Sequence, residues 1–177
     1  KISIVSRKPQ TTRCRINGIK NSKSSQIIFV DTPGFQINPK ITLNRHMNKE
    51  VSNSLVFVDI VVFVIEALNW NELDYNVVKL LKNIDKTKLF LAVNKIDKIP
   101  DKEELLSEID LISKKIKFNE IIPISAIKGS GVERLEELVV ENLPISDPYY
   151  PLEDITDRDE RFFSAEFIRE KLITRLS

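Results

Sequence analysis

Three short stretches carry residues whose types and spacing could do chemistry: Asp31-Thr32-Pro33-Gly34, Asn94-Lys95-Ile96-Asp97, and Ser125-Ala126 at the head of SAIKGSG (125–131). Each follows an apolar run: IIFV, LFLAV and IIPI respectively. Taken alone, Asp-Thr-Pro-Gly is a turn that stops a strand, because Asp, Pro and Gly all suit tight turns. The alternative is a phosphate sensor. Asp31 would hold magnesium through its water shell, and the Gly34 N–H would reach a phosphate by a close backbone approach that a Cβ obstructs.

Asn-Lys-x-Asp is more specific. A carboxylate at 97 can accept two hydrogen bonds, from the ring N–H and the exocyclic amine of guanine. Adenine lacks that donor pair, and a carboxylate left unpaired would penalise it by about a few kcal/mol. Asn94 either bonds the opposite edge of the base or ties neighbouring loops together. The Lys95 stem can lie across the ring face. The Ala126 N–H could meet the guanine carbonyl oxygen while Ser125 braces the loop, although this stretch alone also reads as a helix-capping loop. Order joins the three: D-x-x-G, about 60 residues, N-K-x-D, about 30 residues, S-A, each at a strand end. That is a guanine-nucleotide pattern.

Such loops need a scaffold whose strand ends collect on one side. Strand-length apolar runs occur at 14–20, 26–31, 59–66, 88–94 and 120–125. The later ones are almost wholly apolar, as parallel strands covered on both faces require. Amphipathic segments lie between them; Leu105, Ile109, Ile112 and Ile116 form one helical stripe. Asp101 with Glu104, and Ser130 with Glu133, read as capping boxes. Pro144 closes the helix that Val132, Leu135, Leu138 and Val139 bury. The alternation predicts an α/β doubly wound, mostly parallel sheet, with ligands at the carboxyl ends of its strands. Residues 146–158 are rich in proline and acidic residues and read as a linker. A last helix, roughly 159–176, carries Phe163, Phe167, Ile168, Leu172 and Leu176.

Composition bounds the rest. The 177 residues are 42% hydrophobic and 30% charged, with net charge +1, enough for one core and a small attached element. Residues 1–20 hold Lys1, Arg7, Lys8, Arg13, Arg15 and Lys20 and no acid; this is either a solvated face or a polyanion contact. Cys14 is the only cysteine and His46 the only histidine, which excludes an internal disulfide and a Cys/His zinc site and fits a reducing compartment. With no secretory signal and no apolar run near 18 residues, the chain is expected to be soluble.

KISIVSRKPQTTRCRINGI (1–19), VDTPGF, LNRHMNKEV, LAVNKIDK, IPISAIKGSGV and DITDRDERFFSAEFIREKL (154–172) together resemble the translation-factor-like GTPases, and more closely the bacterial Era family. The resemblance runs over essentially the whole chain. It implies a P-loop NTPase-type G domain over 1–145, with switch I at 1–20, the D-x-x-G at 31–34, the N-K-x-D at 94–97 and the S-A loop at 125–131. It implies a linker at 146–158 and the start of an RNA-binding K-homology domain at 159–177. Thr12, rather than Thr11, becomes the switch threonine that ligates magnesium, with Gly34 beside it in the catalytic machinery. Asp31 takes the metal-water role, and Thr32, Pro33, Gly34 and Phe35 line the nucleotide. Asn94, Lys95 and Asp97 read the base, supported by Ser125 and Ala126. Phe35 stands where Ras-type proteins place a water-orienting glutamine, so water positioning must come from elsewhere and slow intrinsic hydrolysis follows.

The implied ligands are GTP or GDP with Mg2+. The implied partners are small-subunit ribosomal RNA and the 30S subunit. A cytoplasmic monomer with peripheral contact to the inner membrane completes the picture. The phosphate cradle G-x-x-x-x-G-K-[ST] does not occur in these residues and is expected upstream of Lys1, together with a central first strand lying between those at 26–31 and 59–66; without that strand the sheet would be split. The alternative reading is a non-hydrolysing RNA-binding assembly module.

Overall fold

The computed structural model describes residues 2–4, 11–12, 14–35, 42–82 and 87–175. It resolves into two compact units. One comprises residues 1–54 with 146–177, the other residues 55–145.

The second unit is built on β3 (Ile60–Glu66), β4 (Lys88–Asn94) and β5 (Glu120–Pro123). They form one parallel sheet in the order β3-β4-β5. The central strand is the driest: Phe90, Leu91, Ala92 and Val93 have no solvent exposure. A strand flanked on both edges and covered on both faces must be apolar at consecutive positions, and KLFLAVN is. Helices α2 (Glu72–Leu81), α3 (Lys102–Ser113) and α4 (Val132–Asn142) alternate with the strands. The expected α3 stripe is realised: Leu105, Ile112 and Ile116 join the core around Leu91 and Val93, with Ile109 packed against it. Asp101 caps α3 by accepting from the Glu103 N–H at 2.8 Å. The reciprocal capping box is found at α2 instead, between Asn71 and Asp74. On α4 the expected Ser130–Glu133 box does not form. Its N-cap is Gly131, in the left-handed region at φ 74°, with no side-chain cap bond. The helix ends at Asn142 with Leu143 as C-cap, as Pro144 requires. Of its stripe, Leu138 and Val139 are buried while Val132 is exposed.

The first unit carries β1 (Ile16–Asn21) and β2 (Gln26–Asp31), an antiparallel pair in the register Ile16–Asp31 to Asn21–Gln26. Ser22 and Ser25 close the hairpin, the Ser22 N–H donating to the Ser25 carbonyl at 2.8 Å. Among the described residues β2 shares no ladder with β3; the strands lie in separate two- and three-stranded sheets, the division expected of this sheet. Helix α1 (Thr42–Ser54) buries Met47.

The 146–158 stretch is tied along the hairpin. Gln26 accepts from the N–H groups of Tyr149 and Tyr150 at 2.8 and 3.0 Å. The Asn21 amide donates to the Leu152 carbonyl at 2.8 Å. The Ile19 N–H donates to the Ile155 carbonyl at 2.9 Å, and Gly18 bridges Thr156. The strand edge of β1 is thereby covered, which spares it an exposed row of unpaired backbone groups. Helix α5 (Glu160–Arg175) follows and buries none of its described residues; Leu176 lies outside them.

Candidate guanine-nucleotide site

The residues expected to read a base sit where β4 and β5 end. Asn94 closes β4 and pairs in register with Glu66, the last residue of β3. Lys95 then takes the left-handed conformation, φ 68°, and the chain turns through a short 3-10 helix, Ile96–Lys98. A non-glycine residue there needs support. The Asn94 side-chain oxygen supplies it by accepting from the Lys95 N–H at 2.8 Å.

The same oxygen accepts from the Ala126 N–H at 3.0 Å. Of the two roles open to Asn94, the structure shows the one that ties loops. It follows that the Ala126 N–H, expected to face a guanine carbonyl oxygen, is here given to Asn94.

Ser125 is 1% exposed, and its hydroxyl donates to the Asp97 carboxylate at 2.5 Å while accepting from the Lys128 N–H at 3.3 Å. That hydrogen bond, ahead of the neighbouring Lys128 and Lys98 ammonium groups, holds the Asp97 carboxyl below the usual carboxylate range. Asp97 is therefore ionised at neutral pH and is aligned by a buried hydroxyl. The loop beyond is pinned by the Ser125 N–H to the Ser130 carbonyl at 2.9 Å. Gly131 is sterically required: a Cβ there would lie 2.4 Å from the Pro123 carbonyl oxygen.

The residues expected to face the phosphates belong to the other unit. The Thr12 hydroxyl donates to Asp31 at 3.3 Å across 19 residues of sequence, so the two expected metal-side residues are adjacent. Thr32 and Phe35 are partly buried, Pro33 is buried, and Gly34 is exposed. A Cβ at Gly34 would meet nothing within 4 Å. Arg169 of α5 donates to the Thr11 carbonyl at 2.7 Å and is steadied by Glu166, which raises its pKa further.

Two residues beside the expected ones escaped the sequence reading. Glu66 pairs with the Lys95 ammonium; the one signal for it was an acid closing the apolar run IVVFVI (60–65). Arg169 carried no signal at all.

A family model described as "50S ribosome-binding GTPase" matches residues 1–95. The chain belongs to this family. It is 48% identical over 176 residues to GTPase Era of Marinobacter nauticus, covering 99% of this chain and 57% of that protein. A crystal structure of Era in complex with MgGDPNP and nucleotides 1506-1542 of 16S ribosomal RNA superimposes with a TM-score of 0.90 at 38% identity, over 97% of this chain and 58% of that one. A variant of Aquifex aeolicus Era bound to GDP.AlF4- matches with the same TM-score of 0.90. The chain thus spans a little over half the length of the relatives it matches. Its α/β fold is that of a GTPase G domain.

The donor chemistry fits the implied ligands. Thr12 and Asp31 offer hard oxygen atoms, which suit magnesium, a cation that takes one or two protein ligands and completes its shell from phosphates and water. Among the described residues no cluster of three or more His, Cys, Asp or Glu could hold a metal by itself. No helix among the described residues is long and apolar enough to cross a membrane.

Proposed function

We propose that this protein binds GTP with Mg2+, hydrolyses it to GDP and phosphate, and uses the cycle to control an RNA-binding domain during small ribosomal subunit assembly and rRNA maturation. The observation that carries the nucleotide assignment is the Asp97 carboxylate, ionised and aligned by buried Ser125 on a loop clamped by Asn94. A fixed acceptor pair of this kind suits the two donors of guanine and leaves adenine unmatched. Lys95 covers the ring with its stem, and Ala126 completes the loop. Thr12 and Asp31 serve the metal, the Gly34 N–H serves the γ-phosphate, and Thr32, Pro33 and Phe35 shape the segment around them. Bound Mg2+ supplies charge neutralisation on the phosphates.

The RNA assignment rests on likeness to the Era–16S rRNA complex over 97% of this chain. Residues 1–145 are then the G domain, 146–158 the connection, and 159–177 the opening of a K-homology domain. The 30S subunit is the partner, the protein works as a monomer in the cytoplasm, and peripheral contact with the inner membrane belongs to the same reading. GTP orders the Thr12 and Gly34 segments and hydrolysis releases them.

The test is binding of fluorescent GDP, XDP and ATP analogues to the full-length gene product and to Asp97→Asn. The wild type is expected to select GDP. The variant is expected to lose about 100-fold or more in GDP affinity, and to gain on XDP, because its amide can donate where the carboxylate could only accept. Equal affinity of the wild type for GDP and ATP would overturn the base-reading assignment.

A further inference from the structure

We infer that Glu66 is a positioning residue for nucleotide binding, which sets the Lys95 side chain in place before the base arrives. This rests on the guanine-site reading above and deepens it.

Three observations converge. First, the β3–β4 register places Glu66 opposite Asn94, and the Ala67 N–H donates to the Asn94 carbonyl at 2.9 Å, so the two strand ends are locked together at this point. Second, Lys95 begins its side chain from a left-handed backbone position, braced by the Asn94 side chain. Third, the Lys95 ammonium is ion-paired to the Glu66 carboxylate. The side chain is therefore held at both ends, at Cα by the turn and at Nζ by Glu66.

A free lysine has four rotatable stem bonds, and ordering it costs conformational entropy. Tethered at both ends, it loses that freedom on folding rather than on binding. What a flat ring then meets is a preset row of methylene groups. The Lys95 ammonium, itself the largest influence, holds the Glu66 carboxyl below the usual range, with Lys98 acting in the same direction; Glu66 stays an anion at neutral pH. Both side chains are part-exposed, 43% and 36%, so the pair is of the modest, salt-screened kind.

The experiment uses the full-length gene product with Mg2+ and fluorescent GDP. Glu66→Gln is expected to weaken GDP binding by about 3- to 5-fold, mainly through faster release, and the difference from wild type is expected to shrink toward none at 1 M salt. Single-turnover hydrolysis of bound GTP is expected to stay within about 2-fold. Lys95→Met keeps most of the stem but loses the ammonium; it is expected to lose the same factor, and the Glu66→Gln/Lys95→Met double variant no more than either single. Binding by Glu66→Gln equal to wild type, a defect insensitive to salt, or additive losses in the double variant would each overturn the inference. Should Glu66→Gln fail to fold by circular dichroism, the salt dependence of Lys95→Met decides alone: a defect that persists at 1 M salt rejects the pairing role. A wild type that does not prefer GDP to ATP overturns the underlying site reading, an outcome distinct from all of these.

Discussion

The two units that carry the expected nucleotide contacts are built to different standards of rigidity. In the 55–145 unit each side chain proposed to read the base is held by another group: Asn94 by two backbone N–H groups, Lys95 by Glu66, and Asp97 by buried Ser125. In the other unit Thr12 and Asp31, the residues proposed for the metal, are joined by a long bond of 3.3 Å, and Gly34 is exposed, with nothing within 4 Å of where a Cβ would stand. The difference suits the proposed ligand. A base is the constant part of GTP and GDP, so a pre-organised reader costs nothing through the cycle. The γ-phosphate comes and goes, and groups that sense it must keep a second arrangement within reach.

The contrast can be broken from the rigid side first. Gly131→Ala places a Cβ 2.4 Å from the Pro123 carbonyl oxygen at φ 74°. It should destabilise the 55–145 unit by about 2–3 kcal/mol, read by denaturant unfolding, and weaken GDP binding with it. A variant as stable as wild type would show that the loop yields more easily than its contacts imply. Ser125→Ala leaves Asp97 unaligned and the Lys128 N–H without its side-chain acceptor. A loss of about 1–2 kcal/mol, or roughly 10-fold in GDP affinity, is expected by titration.

Acid should then weaken the same unit. Asp97 and Glu66 both have lowered carboxyl values in the fold. Their contribution is present above the ordinary carboxylate range and disappears as pH falls through the lowered folded values. GDP affinity is therefore expected to hold from pH 7 to about 5 and to fall below about pH 4, measured by fluorescence titration with a parallel check of folding.

The smallest effect belongs to the other unit. Thr12→Ala removes one long, part-buried hydrogen bond and should change stability without nucleotide by less than about 0.5 kcal/mol. A large loss of stability would mean that this segment is held as firmly as the base loop.

Much of the scaffold was legible. The apolar runs at 26–31 and 88–94 match β2 and β4 residue for residue, because a strand shielded on both faces or paired at fixed register leaves a contiguous apolar record. Ends were less legible. β1 begins at Ile16 rather than residue 14, and β5 stops at Pro123 rather than 125, since the last residues of that run are drawn into the Ser125–Ser130 bridge. Ser130 and Glu133 had the spacing of a capping box, but Gly131 entered the left-handed region and took the cap position. The 146–158 stretch shows the limit of composition. Prolines and acids read as a linker, yet Tyr149, Tyr150, Ile155 and Thr156 find partners on the hairpin, and partners from over 120 residues away leave no local pattern.

Local chemistry determined which residues could read a base or sense a phosphate. Asp97, Asn94, Lys95, Asp31 and Gly34 were selected by type, spacing and position after apolar runs, all properties of the chain itself. The tertiary structure decided how each is held: that Asn94 spends its oxygen on Ala126, that Ser125 aligns Asp97, and that Glu66 anchors Lys95. These depend on strand register and on side chains brought together from 28 to 32 residues apart, and hydrogen bonds depend on distance in space, which one-dimensional spacing does not encode.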